Sequence, residues 1–200
     1  MLALAVLCAA LVASLLTGGR LRHAENFRLR VLPLGIGAFV VQVLIFTSRG
    51  ESLLGALLPA FYVLSLAMLV VFLLANLKVF GVPILLVGLL LNFIVIGANG
   101  GRMPANPQAL IATGQTSAAE RLVRDGHAAN VVLMGSQTRL NFLGDYIVLP
   151  ILGNFGSAYS IGDLVALAGE AALVFGMVRA REVVQPASMD GKGNGNSNEL

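Results

Sequence analysis

The chain has 200 residues, of which 57% are hydrophobic and only 12% charged, against roughly 25% charged in ordinary soluble domains. Two hundred residues suffice for one domain, but the apolar runs are too long for a soluble core. The formal charge of +3 is too small to suggest a nucleic-acid surface, and the single cysteine, Cys8, excludes an internal disulfide and a multi-cysteine metal site.

Five apolar runs follow one another: residues 2–16, 31–46, 53–74, 79–98 and 161–178. A bilayer core of about 30 Å takes about 20 helical residues, so each run is predicted to be a transmembrane helix. The first two are short and are expected to extend into Thr17 and Thr47. The first run has no basic start, and its arginines come after it, the reverse of an export signal; an uncleaved helix is expected. A lipid anchor on Cys8 would want a small residue before it, where Leu7 stands.

The basic residues give the threading. Arg20, Arg22, Arg28, Arg30, Lys78, Arg179, Arg181 and Lys192 fall on one side of the runs; Arg49, Arg102, Arg121, Arg124 and Arg139 fall on the other, over many more residues. Basic residues near span ends favour the cytoplasm. The expectation is a multi-pass protein of the cytoplasmic membrane, with its N-terminus outside and its C-terminus inside.

The stretch "NGGRMPANPQ" ends the fourth run. Gly100 and Gly101 permit the backbone angles that stop a helix, and Arg102 can reach a phosphate headgroup or a helix C-terminus. Asn106 then reads as an N-cap before Pro107 at the first helical position, opening a short helix that ends near Gly114. "SAAE", Ser117 to Glu120, reads as a capping box for another short helix closed by Gly126. Residues 99–160 are therefore predicted to form a small extracytoplasmic cap of short helices and turns. Within it "DYIVLPILGNFG" is too short and too broken by Pro150 to span, and is expected to lie at the interface or dip back into protein. Residues 181–200, rich in Gly, Asn and Ser, are expected to be a disordered cytoplasmic tail.

Two sets of residues are candidates for chemistry. Glu170 falls near the middle of the fifth run, on one side with Gly162, Ala166 and Gly169; an intramembrane carboxylate is costly and marks a functional hypothesis. Gln42, Tyr62 and Asn92 lie on comparable small-residue stripes, and their depths place all four in one polar layer, with Glu170 facing the bundle as a neutral acid. Such a layer serves either as interhelical hydrogen bonding or as a proton or small-ligand site. The second set, in the cap, is Arg102, His127, Asp145 and Asp163, with Asn99 at its edge. It shows no paired-histidine spacing and no serine elbow. Ser160–Asp163 also reads as a helix-capping pair. No catalytic residue, metal or cofactor is assigned.

"NGGRMP", His127, "TRLNFLGDYI" with Thr138 and Leu143–Asp145, and "SIGD" ahead of the last helix, in that order, resemble a bacterial family of small integral membrane proteins catalogued as domain of unknown function 5317. The resemblance covers about residues 1 to 180. It implies an all-α membrane fold and a bacterial membrane location, and brings no established activity. The reading favoured is an accessory or structural subunit that binds other membrane proteins or lipid, with the bilayer, another membrane subunit, or a bound lipid or quinone as partners. The alternatives are a small proton-linked transporter using the layer around Glu170, and an outer-face enzyme.

Overall fold

The computed structural model describes residues 2–19, 28–149 and 157–179. The basic residues Arg20 and Arg22, most of the "VLPILGNFG" stretch and the tail 181–200 lie outside the described residues. The chain is mostly helical. Its long apolar helices are α1 (Leu2–Leu16), α2 (Leu32–Ile45), α4 (Leu58–Ala75), α5 (Val82–Ala98) and α8 (Ile161–Arg179), with a short α3 (Ser48–Leu54) leading into α4. Pro33, Pro59 and Pro83 sit in the first turns of α2, α4 and α5, where a missing N–H costs nothing.

Among the described residues, two helical stretches are long and apolar enough to cross a membrane, Arg49–Ala75 and Ile161–Val178. The apolar helices at Val6–Leu16, Leu32–Ile45 and Val82–Ala98 are shorter. The expectation of five full-length spans is corrected accordingly. Left-handed backbone marks where two of the shorter helices begin. Val31, at φ +48°, lies just outside α2, and Gly81, at φ +88°, just outside α5. The third run is also reorganised. Thr47 Oγ1 caps α3 by accepting from the Gly50 N–H (3.0 Å), and the chain turns through a 3-10 segment at Gly55–Leu57 before α4 begins.

The helices pack in the order α1–α8–α5–α4–α2, so the first and last helices of the chain are neighbours. Ser14 Oγ on α1 donates to the Phe175 carbonyl on α8 (3.1 Å). The α5–α8 seam is the tightest. A β-carbon at Gly88 would stand 2.6 Å from the Gly162 carbonyl and 2.8 Å from Ala166 Cα; one at Gly81 would stand 2.7 Å from the Gly169 carbonyl. Small residues at three- and four-residue spacing let the two backbones touch.

Among the described residues, the largest buried cluster lies where α2, α4 and α5 meet the cap: Ile45, Tyr62, Leu66, Val95, Ile96, Met103 and Leu143 belong to it. The cap has its own core, in which Leu110 and Leu122 pack against Ala105 and Ala128. Its helices are α6 (Pro107–Ala112), capped by Asn106 Oδ1 accepting from the Gln108 N–H (2.9 Å), and α7 (Thr116–Asp125), closed by Gly126 at φ +76°. The predicted box at Ser117 is displaced: α7 starts at Thr116, after Gln115, which makes no capping bond.

The cap also holds a sheet that departs from the all-α expectation. Strands β1 (Met103–Ala105), β2 (His127–Ala128) and β3 (Val131–Leu133) lie in the order β1-β3-β2, β1 parallel to β3 and β2 antiparallel to it. β1 meets β3 from a distant part of the chain, and strands of two or three residues are too short for alternation to reveal.

Two asparagines tie helix ends to distant backbone in the same way. At the end of α4, Asn76 Nδ2 donates to the Arg30 and Phe72 carbonyls (3.0 and 2.7 Å), and Oδ1 accepts from the Arg30 N–H (2.8 Å). At the end of α5, Asn99 Nδ2 donates to the Arg139 and Val95 carbonyls (2.8 and 2.7 Å), and Oδ1 accepts from the Arg139 N–H (2.8 Å). Each amide satisfies an orphan helix carbonyl and imitates a strand pair with a remote residue.

Candidate functional site

The polar side chains converge at the junction of bundle and cap. Ser160 and Asp163 cap α8 reciprocally: Ser160 Oγ accepts from the Asp163 N–H (2.9 Å), and Asp163 Oδ2 accepts from the Ser160 N–H (3.0 Å). Asn92, from α5, closes the ring. Its Nδ2 donates to Asp163 Oδ1 (2.6 Å) and its Oδ1 accepts from Ser160 Oγ (2.9 Å). A helix cap and an interhelical bond are thus one network.

Asp145 reaches the same region by another route. Its N–H donates to the Pro104 carbonyl (2.8 Å) and its carbonyl accepts from the Asn106 N–H (2.9 Å), which adds it to the edge of β1. A β-carbon on the preceding Gly144 would stand 2.5 Å from that same Pro104 carbonyl, so the approach needs glycine. The Oδ1 of Asp145 is buried and has no hydrogen-bond partner. Burial, and then the neighbouring Asp163, push its carboxyl well above the ordinary range. On α4 the buried Tyr62 stands edge-on to Phe46, ring centroids 6.0 Å apart. Asp145, Asp163 and Asn130 are the polar groups that act on its hydroxyl.

The structure therefore brings together Tyr62, Asn92, Asp145 and Asp163, drawn from both predicted sets. The single midplane layer does not form. Along the α5–α8 seam Asn92 meets Gly162, while Gly88 meets Gly162 and Ala166, and Leu85 meets Gly169. That register holds Asn92 at the N-terminal end of α8. Glu170 lies seven residues further along, roughly 10 Å at 1.5 Å per residue; it is half-buried, and Asp163 is the charge that acts on it. Gln42 is half-buried on α2 and makes no side-chain hydrogen bond among the described residues. His127 is exposed on β2, paired through its backbone with Val132. Asn99 is the clamp described above. Arg102 forms no ion pair among the described residues, and its Nε is buried without a partner.

Other groups escaped the reading of the sequence. Asn130 and Ser160 belong to the junction, and Glu51 and Arg121 form a half-exposed ion pair (3.7 Å) beside a cavity of about 330 Å³ between α3 and the cap. Asn130 lies in a run that carries no motif; Ser160 was legible only as a cap. Among the described residues no three His, Cys, Asp or Glu side chains gather as a metal site would require.

The raised Asp145 carboxyl sets a pH dependence. A folded value above the unfolded one, about 3.9, means that its contribution to stability is full below that unfolded value. It is lost as the pH rises through the folded value. The thermal midpoint of the protein in detergent is thus expected to fall as the pH rises from 4 towards 8. Asp145→Asn is expected to flatten that slope and to be the more stable protein at pH 8. Parallel profiles for the two proteins would refute the assignment.

No curated protein and no solved structure matches the chain. The model of a family of unknown function, DUF5317, matches residues 26–175, the stretch that contains the junction and all four of its acidic, amide and phenolic groups, and the chain belongs to that family.

Proposed function

We propose that this is a multi-pass integral membrane protein that acts as an accessory subunit, holding another membrane protein or lipid without catalysing a reaction. The carrying observation is the distribution of apolar surface. On α2, Leu32, Ile36, Phe39, Val40 and Val43 are exposed at three- and four-residue spacing, and Leu64, Val71 and Leu74 on α4 and Ile84, Val87 and Ile94 on α5 are exposed at spacings of three and seven. Faces of this extent call for lipid or a partner protein. Asn92, Asn99, Ser160 and Asp163, by contrast, are spent on hydrogen bonds at the junction of cap and helices. In this reading all five apolar helices lie in the bilayer, the shorter ones accommodated by thinning or by flanking residues. The cap is extracytoplasmic and the C-terminus cytoplasmic.

Cysteine labelling in a Cys8→Ser background tests the threading. Ser117→Cys is expected to react in intact cells, and Ser188→Cys only after permeabilisation; the reverse pattern, or labelling of both without permeabilisation, overturns it. The role is tested by reconstitution. The protein alone in liposomes is expected to move neither protons nor solutes, and to bring down a stoichiometric subunit or lipid from native membranes. A proton flux that Glu170→Gln abolishes would overturn this reading in favour of a transporter.

A further inference from the structure

Between the outer halves of α4 and α5 runs an open groove of about 820 Å³, walled by small and apolar side chains that include Ala60, Val63, Leu64 and Ala67, with Gly97 opposite. Small residues hollow it out: nothing lies within 4 Å of where a β-carbon on Gly97 or Gly100 would stand. Arg102 closes its outer end. Gly101, at φ +83°, sets that position, because its α-carbon lies against Pro59 so closely that a β-carbon would stand 2.7 Å from the Pro59 carbonyl. Left-handed backbone and close approach together fix the turn that delivers Arg102 to the groove. Its Nε is buried without a partner, and the two ion pairs among the described residues, Arg121–Glu51 and Arg124–Asp125, do not involve it. Asp145, the other buried group with an unpartnered atom, has Asp163 and not Arg102 as its charged neighbour.

We infer that this groove binds one anionic phospholipid, its phosphate on the Arg102 guanidinium and one acyl chain along Ala60, Val63, Leu64 and Ala67. This rests on the proposed bilayer location of α4 and α5 and adds the partner's chemistry to it. The pieces match a lipid in order of depth. A planar cation with no ion pair among the described residues stands at the end of the helices, where headgroups would lie, and it suits bidentate phosphate recognition. Below it, from Pro59 to Ala67 along α4, the wall runs for roughly 12 Å at 1.5 Å per residue. A second protein helix would meet the same wall with apolar side chains and leave Arg102 unpaired. An anionic lipid satisfies both features at once.

The chain contains no tryptophan, so Leu64→Trp, at a position half exposed in the groove, makes a single fluorescent reporter. The test uses the full-length reporter protein in vesicles that contain either brominated phosphatidylglycerol or brominated phosphatidylcholine at equal mole fraction. Phosphatidylglycerol is expected to occupy the site roughly fivefold more readily, the preference that one arginine near an anionic surface gives. Arg102→Gln is expected to abolish the preference and Arg102→Lys to retain part of it. Arg139→Gln, at an exposed cation of the same cap, leaves it unchanged. Should Arg102→Gln not fold, Ala60→Leu decides, since it narrows the groove without altering charge and is expected to lower quenching by phosphatidylglycerol. Equal quenching by the two lipids, or loss of the preference in Arg139→Gln, overturns the site. Quenching by neither lipid would instead overturn the bilayer location of α4 and α5.

Discussion

Gly88→Leu is expected to prevent α5 and α8 from packing and to give the largest loss of stability of any single substitution in the apolar helices. A β-carbon there already collides with the Gly162 carbonyl and the Ala166 backbone, and backbone, unlike a side chain, has no rotamer by which to retreat. Even Gly88→Ala is expected to cost about 1–3 kcal/mol, the usual range for forcing atoms into a filled site. Gly97→Ala supplies the contrast. Nothing lies within 4 Å of its β-carbon position, and alanine favours helix over glycine by up to about 1 kcal/mol, so stability is expected to hold or rise. Thermal unfolding in detergent ranks the three variants. Equal midpoints for Gly88→Ala and Gly97→Ala would contradict the contact between the two helices.

The second large effect is expected at the polar ring. Asn92→Ala removes at once the partner of Asp163 Oδ1 and that of Ser160 Oγ, and each buried group left unsatisfied costs about 1–3 kcal/mol. Asp163→Ala also removes one half of the reciprocal α8 cap, the acceptor for the Ser160 N–H, a further loss of up to about 1 kcal/mol. Because the two residues share a bond, their effects are not expected to add. The double variant should be less destabilised than the sum of the singles by about 0.5–3 kcal/mol. Hydrogen exchange should report the damage first at the N–H groups of Ser160 and Asp163. Strict additivity would mean that Asn92 and Asp163 do not act as a unit.

The parts of the fold that were legible in the sequence are those encoded within a few residues. Apolar runs located the five long helices to within a few residues, Asn106–Pro107 and Gly126 marked the boundaries of cap helices, and "SIGD" announced a cap. What could not be read depends on register between distant segments. Depth counted from span ends placed Asn92 and Glu170 in one layer. The seam is set by the mutual fit of Gly81, Gly88, Gly162 and Gly169, and that fit slides Asn92 outwards to Asp163. Likewise Met103 pairs with Val131 across 28 residues, a parallel strand contact with no local signature. Asp145 was legible as a residue near a turn. Its burial beside Asp163 follows from β1 capturing its backbone, which only the tertiary arrangement discloses.

The adjacency of α1 and α8 bears on how the protein is made. Chains emerge from the ribosome N-terminus first and fold as they lengthen. α1 therefore waits for Phe175, 161 residues further along the chain, whose carbonyl its Ser14 hydroxyl contacts. The same is true of α5, whose glycine face meets its partner only when residues 162–169 arrive. α2 and α4, adjacent both in sequence and in the row, can associate early. Assembly is thus divided into an early pair and a late closure by α8, and until that closure the glycine-lined face of α5 and α1 are open to chaperones, to proteases, and to helices of other nascent chains.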